Sequence, residues 1–466
     1  MKPLLVEDIR AAVRGRLLSA ALPREVGGVS TDTRTARQGD LFVALRGQHF
    51  DGHAFLAQAA AAGCPAAVID QDYPIEGELA RLFPGGLLGV PDTTAALGEL
   101  ASWYRRHMTA TVLAVTGSNG KTTVKRMIHH ILSGRKKGSA SPRSFNNNIG
   151  VPLTLLAAEA ADEYVVCELG SNAPGEIAAL AAIAQPDVAV IASVGPTHLE
   201  KLIDLEHVAL EKASILGGLR EGGLGIIWAD SPALAQAVKA YPVRLVRFGA
   251  DERADLRLTN YQPDSGGGRY EINQRRWHRL GVPGRHMACN ALAAIAAAGK
   301  LGIDQETSAL ALESYRSQDM RLQEIHLGGL TLINDAYNAN PASMQAAGES
   351  LASFAGTRRV LVAGDMRELG PSAEQLHRDT GKALARCGLN LLVGVGTLGA
   401  LIAQGAAGYN GLLTQCFAGL DEAAAALPGL LRAGDVVLIK GSRGMAMERL
   451  IEPLRRAFAD KAQEPA

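Results

Sequence analysis

The stretch Val112-Leu113-Ala114-Val115-Thr116-Gly117-Ser118-Asn119-Gly120-Lys121-Thr122-Thr123 decides the fold class. Its four leading apolar residues, with no polar alternation, read as a strand buried on both faces. A glycine turn follows, and Val124, Met127, Ile128, Ile131 and Leu132 then recur at helical spacing. Strand, turn and helix in that order make half of a parallel α/β unit. The turn also carries the sharpest chemical signal in the chain. Glycines at 117 and 120 let backbone N–H groups face a phosphate chain, and the helix start adds partial positive charge. Lys121 can reach the β- and γ-phosphates, and the Thr122 hydroxyl can ligate Mg²⁺. Gly117, Ser118, Asn119, Gly120, Lys121, Thr122 and Thr123 therefore read as a nucleotide-binding loop. Position 115 is Val, a departure from the long pattern G-x-x-x-x-G-K-[ST]. A glycine turn that binds nothing is the bland alternative, and Lys-Thr-Thr at the helix start argues against it. Motors, switches, kinases and ligases all use such loops, so the loop alone leaves the activity open.

Working outward, strands are expected at 164–167, 188–192 and 225–228, with helices at 176–184 and 205–216 between them. This alternation predicts a doubly wound, mostly parallel sheet for a block spanning 91–316. The polar stretch 253–279, with Gly266-Gly267-Gly268, reads as an antiparallel excursion, and an Ala-rich helix at 290–301 closes the block. Before it, 1–90 reads as a small α/β unit with strands at 41–45 and 66–69 and a helix at 54–62. After it, 317–466 repeats the parallel design with strands at 330–333, 360–363, 391–395 and 436–439. Ligands in such sheets sit beyond the carboxyl ends of the strands. The last residues, 460–466, are polar and expected to fray.

The chain has 466 residues, which at about 150 per domain suits three domains. Hydrophobic residues make up 47% and charged residues 20%, which excludes long disorder. The 47 Lys and Arg balance 47 Asp and Glu, so a protein that coats nucleic acid is disfavoured. Cys64, Cys167, Cys289, Cys387 and Cys416 are scattered with no C-x-x-C pair. They read as free thiols in a reducing compartment. The first residues turn acidic too early for a secretory signal, and no run of about 18 apolar residues suggests a membrane span. A soluble, cytoplasmic monomer is the expectation.

Several residues can complete a reaction centre. Glu168 ends a strand, where a carboxylate suits Mg²⁺ or merely caps a helix. His198 follows another strand and can ligate a metal, contact a substrate oxygen or be incidental. Lys212 reads by pattern as a solvated helix lysine. Asp335 and Tyr337, in Asn334-Asp335-Ala336-Tyr337-Asn338-Ala339-Asn340-Pro341, can hold a ribose and stack on a base, or form a plain turn. Lys440-Gly441-Ser442-Arg443 offers N–H groups and a guanidinium to an anion such as a carboxylate.

Taken in order, these segments resemble the Mur ligases, ATP-dependent amide-forming enzymes of peptidoglycan precursor synthesis. The resemblance also rests on Ser30-Thr31-Asp32-Thr33-Arg34, Asp51-Gly52-His53, Phe145-Asn146-Asn147-Asn148-Ile149-Gly150, Gly284-Arg285-His286 and Gly364-Asp365-Met366-Arg367-Glu368-Leu369-Gly370. It covers nearly the whole chain. The asparagine-rich segments and the 364–370 run are similar to the branch that joins D-alanyl-D-alanine to UDP-N-acetylmuramoyl-tripeptide. The resemblance implies a UDP-substrate domain, a central ATPase domain and a Rossmann-like C-terminal domain that binds the dipeptide and adenosine. It implies ATP and Mg²⁺ as cofactors, with Lys121 catalytic and Thr122, Glu168, His198 and a CO₂-carbamylated Lys212 around the metal. It puts Asn290, Arg321, Asp335 and Tyr337 on the nucleotide. Ser30, Thr33 and Arg34 would meet the uridine diphosphate end, and Asn146, Asn147, Asn338, Asn340 and Arg443 the substrates. Two positions depart from the family's habit. Lys212-Ala213-Ser214 stands where Lys-Gly-Glu is common, and Ala336 stands where Ser is common. A sister or folate-type ligase, and a non-catalytic ATP-binding switch, are the competing expectations.

Overall fold

The computed structural model describes residues 1–459, apart from 20, 23, 48, 49, 76, 265, 318 and 319. The terminal stretch 460–466 lies outside the described residues. Three larger sheets organise the chain. The first runs Arg16–Leu17, Gly86–Val90, Ala66–Asp70, Asp40–Val43, Gly28–Ser30, with only its first pair antiparallel. The second has nine strands in the order Arg276–Leu280, Gly267–Ile272, Leu256–Asp264, Arg244–Gly249, Leu224–Trp228, Val188–Ile191, Thr111–Thr116, Tyr164–Glu168, Gly138–Ala140. Its first three strands form the antiparallel excursion and the rest are parallel. The third runs Gln323–Leu327, Leu330–Asn334, Asp435–Lys440, Arg358–Gly364, Leu391–Val395, Leu413–Phe417, with one antiparallel edge pair.

Strand order explains where chemistry gathers. Thr111–Thr116 lies between Val188–Ile191 and Tyr164–Glu168, both of which follow it in sequence. That is a switch point, and its crevice opens at the carboxyl ends of the strands. Residues 117, 168 and 192–198 therefore emerge side by side. In the third sheet Asp435–Lys440 lies between Leu330–Asn334 and Arg358–Gly364, which brings residues 335, 365 and 441 to one edge.

The helix Lys121–Ser133 buries the predicted stripe of Val124, Met127, Ile128, Ile131 and Leu132. This face packs on Arg285–Lys300 within one large core. At about 1.5–3 kcal/mol per buried large apolar side chain, packing anchors the helix far more firmly than its β-branched residues weaken it. Some expected elements shift. The helix expected at 290–301 starts at Arg285, because Gly284 at φ +112 ends the preceding loop. The helix expected at 205–216 ends at Ala213 and tightens into a 3₁₀ turn, Ser214–Gly218. Short or half-exposed strands such as Gly138–Ala140 and Leu413–Phe417 carry too few apolar residues to be expected from the sequence.

Candidate active site

A cavity of about 850 Å³ lies where the carboxyl edges of the second and third sheets face each other. The phosphate loop forms its floor. Gly117 at φ +147 and Gly120 at φ +79 occupy conformations that L side chains rarely adopt. A Cβ at Gly120 would stand 2.5 Å from Asn290 Oδ1, so the glycine also lets Asn290 pack onto the loop. Ser118 Oγ donates to Gly195 O at 2.9 Å, and Asn119 N donates to Ser193 Oγ at 2.8 Å. The loop is thus tied to the 192–198 segment. Lys121 Nζ donates to Gly117 O at 2.7 Å. Desolvation lowers its pKa, partly opposed by Glu168.

Glu168 is 1% exposed. Its Oε1 accepts from Asn146 Nδ2 at 3.1 Å. Its Oε2 stands 3.2 Å from Lys125 Nζ and has no hydrogen-bond partner. Burial works to raise the Glu168 pKa, but Lys125 and Lys121 hold it below the ordinary value. Lys125 was not expected in the site. Its position one turn after Lys121, on the same helix face, was the available signal.

His198 takes φ +55, and its Nδ1 lies 2.5 Å from Glu368 Oε2 across the gap between the sheets. Burial lowers its pKa, and Glu368 partly restores it. Lys212 is buried and donates to Ser171 Oγ at 2.6 Å. Burial and Lys121 bring its pKa down to about 7. No acid stands at 214. The Ser214 hydroxyl donates to Glu211 O instead. Among the described residues no group of three His, Cys, Asp or Glu side chains forms a ready metal cage. The expected set instead adds Thr122 and Lys212 to Glu168 and His198.

The third sheet contributes the opposite wall. Arg321 Nη2 donates to Thr122 Oγ1 at 3.1 Å, and its guanidinium stacks 3.9 Å from the Tyr337 ring centroid. The Tyr337 hydroxyl donates to Ser144 Oγ at 2.6 Å. Asn340 caps Pro341–Ser350 and forms a reciprocal amide pair with Asn119, at 2.7 and 3.2 Å. Asp335 is held by Lys440 at 2.6 Å, and Lys440 also donates to Asn338 O. Facing Asp335 and Lys440 from the start of the helix Arg285–Lys300, His286 is pushed by desolvation down to about 4. From sequence alone, Lys440 and Glu368 carry no assigned role. Only the third sheet's strand order shows what they touch.

The cavity is lined by Ser118, Asn119, Gly120, Lys121, Thr122, Thr123, Asn146, Asn147, Glu168, His198, Asn290, Arg321, Asp335, Tyr337, Asn338 and Asn340. Other expected residues stand apart from its lining. Gly117, the first residue of the loop, is not in the lining, and Lys212 sits one layer back, bonded to Ser171. Arg443 pairs with Glu448 at 2.7 Å, outside the cavity. Ser30 ends a strand of the first sheet, and Thr33 and Arg34 lie in the turn after it, where Arg34 pairs with Asp32 at 2.6 Å. A second cleft of about 670 Å³, lined by Arg14, Asp92, Glu99 and Arg106 among others, meets the main cavity at Asn148 and Ile183.

Comparison with known proteins adds three family matches. They are the Mur ligase middle domain over residues 115–298, the Mur ligase glutamate ligase domain over 320–443, and the Mur ligase family catalytic domain over 25–105. The UDP-N-acetylmuramoyl-tripeptide–D-alanyl-D-alanine ligase of Bacillus subtilis is 36% identical over 96% of this chain and 98% of its own. The Escherichia coli ligase of the same name is 36% identical over 92% and 93%. Among solved structures, MurF from Acinetobacter baumannii superposes with a TM-score of 0.87 at 32% identity, covering 98% of this chain and 99% of that one. MurF from Thermotoga maritima, solved with ADP, gives 0.81 at 27% identity, covering 93% and 98%.

Proposed function

We infer the function from one premise: the chain belongs to the Mur ligase family. It is an ATP-dependent ligase that joins D-alanyl-D-alanine to UDP-N-acetylmuramoyl-tripeptide in peptidoglycan precursor synthesis. The observation that carries this reading is the cavity itself. There a phosphate loop faces Tyr337, Asn338 and Asn340 from another sheet, in a chain matched end to end by relatives of that name.

In this reading 1–90 holds the UDP substrate, with Ser30, Thr33 and Arg34 at the uridine diphosphate end. Residues 91–316 hold ATP, and 317–466 bind the dipeptide and adenosine. Loop amides and Lys121 hold the triphosphate, while Asn290, Arg321, Asp335 and Tyr337 hold the rest of the nucleotide. Asn146, Asn147, Asn338, Asn340 and Arg443 orient the peptide substrates. Arg443 reaches them by exchanging its Glu448 partner. Mg²⁺ fits the donor set. The buried Glu168 Oε2, ion-paired with Lys125, has no further hydrogen-bond partner among the described residues, Thr122 adds a second hard oxygen, and His198 lines the same wall. A bound Mg²⁺ supplies positive charge where carboxylate and triphosphate meet.

Lys212 suits carbamylation because its amine loses its proton near pH 7 and holds one hydrogen bond, to Ser171. The neutral amine attacks CO₂, an N–C bond forms, and a proton leaves to give an anionic oxygen ligand. The peptide carboxylate then attacks the γ-phosphorus, giving an acyl phosphate and ADP. The dipeptide amine attacks the acyl carbon, and phosphate departs with the proton lost to solvent. Apposed sheets exclude the water that would hydrolyse the acyl phosphate. No helix among the described residues is long and apolar enough to cross a membrane, and the five thiols are free. Free thiols suit a reducing compartment, and in this reading the enzyme works in the cytoplasm.

Phosphate release from ATP and Mg²⁺ with UDP-N-acetylmuramoyl-tripeptide tests the reading. Release should require D-alanyl-D-alanine, and the product should gain one dipeptide less water. Release indifferent to the dipeptide would overturn the assigned substrate.

A further inference from the structure

The segment 364–370 is pinned far more tightly than a connecting loop requires. Asp365 Oδ1 accepts from Leu398 N at 3.0 Å and Gly399 N at 2.7 Å. Its carbonyl accepts from Ser442 N at 3.0 Å. Met366 N donates to His377 Nε2 at 2.9 Å, and His377 Nδ1 is fixed on Ala373 O at 2.6 Å. Arg367 N donates to Ser442 Oγ at 2.8 Å. The residue these contacts present is Glu368, at φ +64. Its carboxylate meets His198, itself at φ +55. Two non-glycine residues in the left-handed region thus face each other across the gap between the second and third sheets. Strain of this kind persists where surrounding contacts over-determine it, and it clusters at functional sites.

The chemistry of the contact is directional. A carboxylate only accepts hydrogen bonds, so Glu368 favours a proton on Nδ1, the nitrogen 2.5 Å away. In the neutral ring that tautomer leaves the Nε2 lone pair free, on a side chain that lines the cavity. Carboxylates that hold a ligating histidine in this way fix its tautomer and ring orientation. The Glu368 side chain is 58% exposed, and an ion pair so exposed adds little to stability. The contact therefore needs a reason other than holding the fold.

We infer that Glu368 is a positioning residue, the carboxylate by which the C-terminal domain sets His198 for metal binding, so that the metal set is complete only when the two sheets are apposed. The inference rests on the reading of His198 as a metal ligand given above. It assigns a task to the 364–370 run that the nucleotide and substrate roles leave unused.

Mn²⁺ binding to the full-length enzyme with ADP, followed by the EPR signal of free Mn²⁺, tests it. Glu368→Gln should weaken Mn²⁺ binding about tenfold or more. Its melting temperature should stay within about 1 °C of wild type. The double variant with His198→Asn should bind no more weakly than His198→Asn alone, which a merely structural role would not produce. Glu368→Asp should recover part of the loss. Wild-type Mn²⁺ affinity in Glu368→Gln beside a weakened His198→Asn would overturn the inference. Wild-type affinity in His198→Asn would instead overturn the assignment of His198 on which it rests.

Discussion

Two lysines, Lys125 and Lys212, are each about 1% exposed in the same domain, and their surroundings give them opposite fates. Lys125 Nζ reaches the carbonyls of Ser141 at 2.9 Å and Arg143 at 2.5 Å, and the Glu168 carboxylate at 3.2 Å. Lys212 Nζ has one hydrogen-bond partner, the Ser171 hydroxyl. The carboxylate beside it in sequence, Glu211, is committed elsewhere. Its oxygens accept from Gly175 N at 2.7 Å and Ile177 N at 2.8 Å, at the start of Glu176–Ala184. Burial lowers the pKa of both lysines. Glu168 opposes that in the first case, while in the second the pKa falls to about 7. The same side chain becomes a fixed cation where oxygens surround it, and an available amine where the neighbouring oxygens are already taken.

Removing each amine should expose the difference. Lys212→Ala should abolish dipeptide-dependent phosphate release, a loss of at least about 10²-fold, without lowering the melting temperature. Lys125→Met should act on the fold, because it strands the buried Glu168 charge. The expected cost is about 3–5 kcal/mol in denaturant unfolding. Lys125→Met with Glu168→Gln should recover most of that loss, since removing both charges leaves nothing unpaired. If Lys125→Met unfolds at the wild-type denaturant concentration, the two pockets are not different in kind.

The contrast also marks how far the sequence could be read. The phosphate loop, Glu168 and His198 were legible because each follows an apolar run, and parallel sheets put carboxyl ends on one edge. Their convergence follows from that rule alone. Lys125 was not singled out, because on a helix wheel it is one more charge beside an apolar stripe. Its role depends on Ser141 and Arg143, which arrive from a segment after the short strand Gly138–Ala140. Lys212 read by pattern as a solvated lysine. Its burial depends on packing that no local spacing encodes. Glu368 and Lys440 needed the third sheet's order, where the last long strand inserts between two earlier ones. Arg443 and Asp335 were legible as charges near strand ends. The sequence did not show that Glu448 and Lys440 already neutralise them.

A smaller effect sharpens the comparison through pH. Folded Lys212 gives up its proton above about pH 7. An unfolded lysine keeps its proton to about pH 10.4. Between these values the unfolded state binds more protons, so this residue's contribution to stability rises with pH and is lost as pH falls toward 7. Lys212→Met removes the penalty. Its melting temperature should exceed wild type by on the order of a few °C at pH 6–7, and the gain should fade toward pH 10. Calorimetry at four or five pH values would show the trend. A difference from wild type that does not change between pH 6 and 10 would mean that Lys212 keeps its proton in the folded state.

The smallest expected effect concerns the one hydrogen bond Lys212 keeps. Ser171 Oγ lies 2.6 Å from Nζ, and a hydroxyl oxygen accepting from an ammonium favours the charged form. Ser171→Ala should therefore lower the Lys212 pKa further, while costing only about 0.5–1.5 kcal/mol of stability. Enzyme equilibrated with ¹³C-bicarbonate reads this directly. The carbamate carbon signal should reach half its plateau at a lower pH in Ser171→Ala than in wild type, because the neutral amine appears earlier. Ligase turnover should change less than tenfold, since the amine itself is retained. A midpoint that moves upward would mean that the Ser171 hydroxyl donates to a neutral amine. Burial and Lys121 would then account for the low pKa against no opposition from this contact, and the two lysine pockets would differ even more than their distances suggest.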